Sequence, residues 1–203
     1  MEDWVQRALA KWPNVPALFG WLGLDRRGRW LIRGEVISRP QIIDTINANY
    51  AADAQGRWFF QNGPQRGYMK LEYAPLILRT DGAGRLMTHT GHHVENPAAA
   101  FLDEHGALLI GTEHGPGVLA DHDLDWALAR LHSGGTAVDE DQIAAALSLP
   151  SGTASALHLY VGTARLPLLR LDSAHAPRRL GFVRDPQQLE SEKAQTAPAT
   201  PPP

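Results

Sequence analysis

The chain has 203 residues, 43% hydrophobic and 20% charged, which predicts one globular domain or two small ones. The absence of cysteine excludes disulfides, thiolate zinc sites, iron–sulfur clusters and cysteine nucleophiles. The net charge of −3 is unevenly spread: residues 81–150 carry 11 Asp/Glu against 2 Lys/Arg, whereas residues 1–80 carry 7 against 11. This asymmetry suits either the pairing of two subdomains or the steering of a charged partner.

The N-terminal region 1–15 predicts a short amphipathic helix that ends at Pro13, with Trp4 and Trp12 on its apolar face. These tryptophans are candidates for docking, either on the protein itself or on a protein partner. The region lacks the basic and apolar parts of a signal peptide, and no stretch has the roughly 18 apolar residues that cross a bilayer. We therefore expect a cytoplasmic protein with no membrane partner.

Four Asp-x-x-Gly segments divide the chain, and they begin at Asp25, Asp53, Asp81 and Asp103. The Asp carboxylate can accept a hydrogen bond from the backbone two residues on, and the Gly can adopt positive φ. In each copy a large apolar residue two places after the Gly opens a strand. The pattern predicts four structural hairpin turns and not catalytic sites.

In the first half, strands are predicted at 18–24 and 30–33 on either side of the first turn, and at 57–60 after the second. Between them Ser38-Arg39-Pro40-Gln41 predicts a helix that starts with a capping box at Ser38 and runs to about Ala51. A further strand at 68–80 is interrupted by Pro75.

In the second half, strands near 86–90 and 107–112 accompany the third and fourth turns. A helix over 121–131 follows, then an alanine-rich helix over 139–149 with a capping box at Asp139, then a hairpin of 157–161 and 166–171. The Gln-, Ala- and Pro-rich tail 185–203 is expected to be disordered. Together the elements predict an α+β fold of two small β-rich halves built from hairpins, 16–80 and 81–131, with a few short packed helices and a C-terminal helix and hairpin segment, 132–184.

Short motifs in this order are similar to those of an uncharacterised proteobacterial family, domain of unknown function 1285. The motifs are Gly28-Arg29-Trp30, Ile37-x-Arg39-Pro40, Asp53-x-x-Gly56-Arg57 and Leu71-Glu72-Tyr73-Ala74-Pro75, and the resemblance covers about 18–131. It implies a two-part α+β fold and carries no activity.

A histidine group provides the main chemical candidate. Its core is His89, His92 and His93, and Glu113, His114 and His122 follow along the chain. Imidazoles with a carboxylate can bind zinc or another divalent ion and leave a position open for catalysis. In a regular strand, however, His89 and His93 would lie about 13 Å apart, so only a turn at Thr90-Gly91 would bring them together. The alternative is a polar strand and loop with exposed histidines.

Arginines near aromatic residues provide the second candidate, with Arg27, Arg29 and Trp30 as the binding residues. This combination can stack guanidinium groups or bind nucleic acid. The net negative charge and the scarcity of lysine instead favour a half-buried sheet with arginines in solvent, so we do not expect a nucleic-acid partner.

Other catalytic patterns are missing. Asp121-x-Asp123-x-Asp125 lacks the later Gly and Glu of a calcium loop, 111–117 lacks the end of a phosphate-binding loop, and 151–155 is not a nucleophile elbow. The sequence favours a non-enzymatic binding or adaptor module for a protein or a small ligand. The alternatives are a metal-dependent hydrolase centred on the histidines and a small-molecule sensor. Cofactor and oligomeric state stay open.

Overall fold

The computed structural model describes Arg7, Lys11 and residues 17–189. These residues form two compact units, one containing 17–24, 29–72 and 183–189 and the other containing 25–28 and 73–182. Each unit is a β-sheet with short helices, which confirms the predicted α+β fold with two β-rich halves. Apart from Arg7 and Lys11, which are helical, the predicted helix 1–15 with Trp4 and Trp12 lies outside the described residues, as does the tail from 190 onward.

The first unit contains one sheet and one helix. The strands are β1 Leu18–Leu24, β2 Trp30–Ile32, β3 Glu35–Val36, β4 Tyr50–Ala52, β5 Trp58–Asn62 and β6 Gln65–Leu71, and the helix is α1 Pro40–Ala48. The sheet order is β3-β2-β1-β6-β5-β4, with β1 and β6 parallel and the other neighbours antiparallel. Leu24, Trp30, Ile46 and Met69 are fully buried and form the centre of its core.

The start of α1 differs from the prediction. Arg39 occupies the N-cap position and makes no side-chain cap bond, so the capping box expected at Ser38 is wrong. Pro40 explains the shift, because its fixed φ and missing N–H suit the first helical position and place Ser38 one residue too early to cap. The helix also ends at Ala48, and Tyr50 belongs to β4.

The second unit contains a larger sheet and three short helices. The strands are β7 Leu76–Thr80, β8 Leu86–Thr88, β9 Ala99–Leu102, β10 Leu108–Thr112, β11 Gly115–Leu119, β12 Leu131–Ser133, β13 Thr136–Ala137, β14 Ala154–Val161 and β15 Ala164–Arg170. The helices are α2 Leu124–Leu128, preceded by the 3₁₀ turn Asp121–Asp123, α3 Glu140–Leu147 and α4 Ala176–Leu180. The strand order is β13-β12-β14-β15-β9-β10-β11-β7-β8. The predicted stretch 68–80 therefore divides, since β6 belongs to the first unit and β7 to the second.

The four Asp-x-x-Gly turns form as predicted. In the copies at Asp53, Asp81 and Asp103, carboxylate Oδ1 accepts hydrogen bonds of 2.7–3.0 Å from the backbone N–H groups two and four residues later. The copy at Asp25 has the first of these bonds. All four glycines have φ between 74° and 81°, a region that a side chain disfavours. The turns are structural elements, and the residues around them decide any further role.

One hairpin with a helix after it in the first unit has nearly the same geometry as one in the second unit. The pairs of β2 with β3 and of β12 with β13 match at an offset of 101 residues, Leu31 with Val36 against His132 with Ala137. The connecting residues are also alike, with φ of 51° and 87° at Arg33 and Gly34 and of 60° and 92° at Gly134 and Gly135. Two positive φ values are the requirement of a tight type I′ hairpin turn. In the second copy the predicted Asp139 capping box is confirmed.

The second Asp-x-x-Gly turn supplies a buried ion pair to the first unit. Arg57 is 5% exposed, and its Nε donates to Asp53 Oδ2 at 2.7 Å. Tyr68 completes the group: Arg57 Nη2 donates to the Tyr68 hydroxyl, which donates to Asp53 Oδ2, each at 3.1 Å. Burial opposes ionisation of Asp53, but the hydrogen bonds from Arg57 and Gln55 prevail and lower its pKa. A charged Asp53 is therefore part of the native core.

Replacing Asp53 with Asn should strongly destabilise the protein, because it removes the carboxylate that pairs with the buried Arg57 guanidinium. We expect the free energy of unfolding to fall by about 3 kcal/mol, measured by urea denaturation.

Asp81→Asn is the matched control, because Asp81 makes the same turn and pairs with Arg85, whose side chain is 68% exposed. Its effect should be clearly smaller. Equal losses from the two substitutions would show that the turn, and not the buried pair, carries the stability.

Candidate ligand-binding cavity

The second unit contains an open cavity of about 710 Å³, which we call the Trp126 cavity. Its volume lies within the range of about 300–1,000 Å³ that is usual for small-molecule sites. Four separate chain segments meet around it, and they supply two arginines, two aromatic rings, one histidine and one carboxylate. The lining residues are Gly84, Arg85, Leu86, His93, Val94, Glu95, Trp126, Ala129, Arg130, Tyr160, Val161, Gly162 and Thr163.

Helix α2 and the residues after it form one wall. Trp126 and Arg130 are four residues apart, a spacing that places side chains on one face of a helix. The guanidinium carbon of Arg130 lies 4.6 Å from the Trp126 ring centroid, and its Nη1 donates to the Trp126 carbonyl at 3.1 Å. Trp126 Nε1 in turn donates to the Gly84 carbonyl at 2.8 Å. Both side chains are thus held in place while remaining only half-buried.

The end of β14 and the turn after it form a second part of the lining, next to the Arg130 segment. Tyr160 donates its backbone N–H to the Arg130 carbonyl at 3.0 Å, which ties this strand to the end of the α2 segment. The Tyr160 ring meets the His132 ring at right angles, with centroids 5.0 Å apart. Gly162, with φ of 57°, then turns the chain tightly into β15. Trp126 and Tyr160 are the two aromatic residues of the lining.

The third Asp-x-x-Gly turn forms the rim. Arg85 follows Gly84, and its Nε donates to Asp81 Oδ2 at 2.8 Å. The backbone and side-chain hydrogen bonds from Arg85 and the backbone bond from Ala83 lower the pKa of Asp81 against a smaller opposing effect of burial. Arg85 is consequently paired with a carboxylate at the rim. The cavity as a whole offers a place for a flat organic molecule with one charged group, because it combines rings, aliphatic side chains and guanidinium donors.

The three histidines of the predicted metal group occupy different environments. The chain does turn at Thr90-Gly91, with Gly91 at φ 93° and the Thr88 N–H bonded to the His92 carbonyl. His93 then lines the Trp126 cavity, whereas His92 is exposed, with its ring 5.2 Å from that of His114. Within the described residues, no three His, Asp or Glu side chains are arranged to hold a metal ion. A metal role for His89, His92 and His93 stays a prediction.

His89 points towards the backbone of β7. Its Nδ1 accepts a hydrogen bond from the Ile77 N–H at 3.2 Å, which requires an unprotonated Nδ1. Burial, with a smaller contribution from the positive charge of Arg79, lowers the pKa of His89 from 6.5 to about 3. The neutral ring is thus a half-buried structural acceptor beside β7.

The predicted binding residues of the first turn are dispersed. Trp30 is 2% exposed and donates its indole N–H to Asn47 Oδ1 at 2.8 Å, so its ring belongs to the core. Arg27 and Arg29 are exposed. Guanidinium stacking does occur nearby, but on other aromatic rings: Arg33 lies 3.8 Å from the Trp21 ring centroid and Arg26 lies 4.4 Å from that of Tyr73.

A serine and a histidine that sequence reasoning left aside also come together. Ser151 Oγ lies 3.0 Å from His175 Nδ1, and Asp172 Oδ2 lies 3.8 Å from the same nitrogen. In a catalytic triad the serine and the carboxylate contact opposite ring nitrogens, so that the histidine can relay a proton. Here both contact Nδ1, and the arrangement is not a triad.

The fold is similar to that of solved proteins of unknown function. A DUF1285 family protein from Silicibacter pomeroyi DSS-3 matches with a TM-score of 0.51 and 12% identity, over 75% of this chain and 81% of that chain. A DUF1285 family protein from Shewanella baltica OS155 matches with a TM-score of 0.39 and 14% identity, over 50% of this chain and 85% of that chain, which is too low to support an argument. The first match shows the fold alone and confirms the resemblance seen in the motifs.

The chain itself belongs to the family described as "Protein of unknown function (DUF2946)", whose family model matches residues 1–187. No curated protein matches the sequence significantly. None of these descriptions names an activity, a substrate or a partner. In the described part of the chain, no helix is both long and apolar enough to cross a membrane.

Sequence reasoning missed the Trp126 cavity, although one signal was present. Trp126-x-x-x-Arg130 has the spacing of a stacked pair on one face of the helix predicted over 121–131. The other lining segments are distant in sequence, and only the order of the strands brings them together.

The titration of His89 provides a direct test of its environment. Because its pKa is lowered, the unfolded chain binds a proton between pH 6.5 and 3 that the native protein does not bind. Its contribution to stability is therefore present above pH 6.5 and is lost as the pH falls towards 3. Two-bond ¹H–¹⁵N NMR spectra should show His89 as the neutral Nε2–H tautomer in mildly acidic solution. Protonation of His89 in the native protein near its ordinary pKa would contradict this assignment.

The metal hypothesis is tested by elemental analysis of untagged, dialysed protein. We expect no stoichiometric metal, because the three histidines do not converge and His89 Nδ1 is engaged by the backbone. About one ion per chain that disappears from the His92→Ala/His93→Ala double variant would instead support the hydrolase alternative.

Proposed function

We propose that this protein is a non-enzymatic cytoplasmic binding module that holds a small organic molecule in the Trp126 cavity. The supporting observation is a cavity of ligand size whose aromatic and guanidinium side chains are already positioned by bonds to the protein itself. Side chains fixed before binding lose little conformational entropy when a ligand arrives. Such an arrangement favours recognition of a specific small molecule.

The chemistry of the cavity favours binding over catalysis. Its lining combines guanidinium groups and rings, but it has no serine nucleophile, and its one carboxylate, Glu95, is exposed. A general base is usually tuned by burial or by charged neighbours, and an exposed carboxylate lacks the burial. The lining therefore supports recognition of a ligand rather than a reaction.

Ligand binding can be followed at the indole N–H of Trp126, one of six tryptophans, by NMR with assignment from a Trp126→Phe variant. The probes are benzoate, benzamide, benzylamine and cyclohexanecarboxylate, which vary charge and ring type separately. At least one probe should shift the Trp126 resonance in a saturable manner, because a ligand in the cavity would alter the surroundings of this ring.

A matched pair of substitutions checks the location. Ala129 lines the cavity at an exposed position, so Ala129→Phe should fill space in the cavity and weaken the binding of every active probe. Ala145→Phe places the same ring on an exposed face of α3 and should leave binding unchanged. If no probe shifts Trp126, or if Ala129→Phe has no effect, the proposal is wrong.

A further inference from the structure

We propose that the ligand of the Trp126 cavity is a flat organic anion whose carboxylate is bound by Arg130. This inference rests on the proposed function and adds the charge of the ligand and the residue that recognises it. Three observations support this inference. They are the positions of the arginines in the sequence, the partners of each charged side chain at the cavity, and the aromatic residues of the lining.

The two arginines of the cavity are the only cationic residues of the acidic third of the chain. Residues 81–150 contain 11 Asp/Glu and 2 Lys/Arg, and those two are Arg85 and Arg130. Both line the same cavity, although they are 45 positions apart. The fold thus collects all the arginine and lysine charge of this segment at one place.

The two arginines differ in what already neutralises them. Arg85 is paired with Asp81 at 2.8 Å. The Arg130 side chain has no carboxylate within 4.0 Å among the described residues, and the one hydrogen bond that its guanidinium makes there is from Nη1 to the Trp126 carbonyl. Arg130 Nη2 and Nε are therefore available, and a guanidinium edge matches the two oxygens of a carboxylate.

The other titratable groups of the lining do not favour a cation. Glu95 is an exposed side chain, so its attraction for a cationic ligand is weakened by water and salt. His93 lines the cavity with a half-buried ring, and its Nδ1 is enclosed away from solvent. Arg130 is itself half-buried and stacked on Trp126, where an ion pair is less screened than at the surface.

The aromatic and aliphatic residues of the lining favour a flat, apolar group in the uncharged part of the ligand. Trp126 and Tyr160 present aromatic rings, and Leu86, Val94 and Val161 add aliphatic surface. Aromatic side chains favour stacked or edge-to-face contact with another ring. An aromatic carboxylate satisfies both this surface and Arg130, whereas a small inorganic anion would leave the rings without a partner.

The test compares two probes of nearly equal shape, benzoate and benzamide, by NMR titration at the Trp126 indole. In the unaltered protein we expect benzoate to bind at least about tenfold more tightly, because a hydrogen-bonded charge pair forms only with the anion. Cyclohexanecarboxylate should bind more weakly than benzoate because it lacks a flat ring.

Arg130 variants then identify the recognising group. Arg130→Met should reduce the ratio of benzoate affinity to benzamide affinity to about one, while benzamide still binds. Arg130→Lys should retain part of the preference for benzoate, because it keeps the positive charge but loses the paired donors of the planar guanidinium. Arg39→Met removes an exposed arginine of the first unit and should change nothing. Loss of benzamide binding in Arg130→Met would indicate a damaged cavity. The Arg130→Lys variant is then the test, and an unchanged preference for benzoate over benzamide in that variant would show that Arg130 does not recognise the carboxylate.

The outcomes separate this inference from the proposed function. If benzamide or benzylamine binds as tightly as benzoate and Ala129→Phe abolishes that binding, the cavity is a ligand site but the anion inference is wrong. If Arg130→Met leaves the preference for benzoate intact, the recognising group is not Arg130. If no probe binds, the proposed function and this inference are both wrong.

Discussion

The structure depends on an Asp carboxylate that bonds to its own turn. In three copies one oxygen of the Asp accepts two backbone N–H groups, and the Gly three residues later takes positive φ. This arrangement satisfies backbone donors that a tight turn would otherwise leave unpaired. It fixes the connection between neighbouring strands and therefore their register. Each sheet contains two hairpins closed in this way, β1–β2 and β4–β5 in the first and β7–β8 and β9–β10 in the second.

The arginine that follows the Gly of an Asp-x-x-Gly turn lies in different environments in different copies. In the copies at Asp53 and Asp81, the residue after the Gly is an Arg whose Nε bonds to the second carboxylate oxygen. Arg57 points into the first unit and joins Tyr68 in the core, while Arg85 remains at the surface beside the Trp126 cavity. The local sequence thus determines the turn, and the surrounding sheet determines whether the arginine stabilises the core or lines the cavity.

Features set by neighbouring residues could be predicted from the sequence. The Asp turns, the Asp139 capping box and the final hairpin all formed as expected, because each depends on contacts within a few positions. The capping box predicted at Ser38 is wrong because Pro40 occupies the first helical position, which makes Arg39 the N-cap residue. The cavity could not be predicted, since residues 84–86, 93–95, 126–130 and 160–163 meet only through a nine-stranded order in which distant strands are neighbours.

The acidic segment 81–150, which supplies most of the cavity lining, influences how an anion would bind there. The many carboxylates of residues 81–150 repel an approaching anion, but their effect is screened beyond about 8–10 Å at physiological salt. Arg130 acts at contact distance, where its charge is half-buried and not paired with a carboxylate of the described chain. Electrostatic steering would therefore contribute little to association, and affinity would come from short-range pairing with Arg130 and contact with the rings. An anion without an apolar body would meet the repulsion without gaining those contacts, so the acidic segment itself favours an aromatic anion over small inorganic ones.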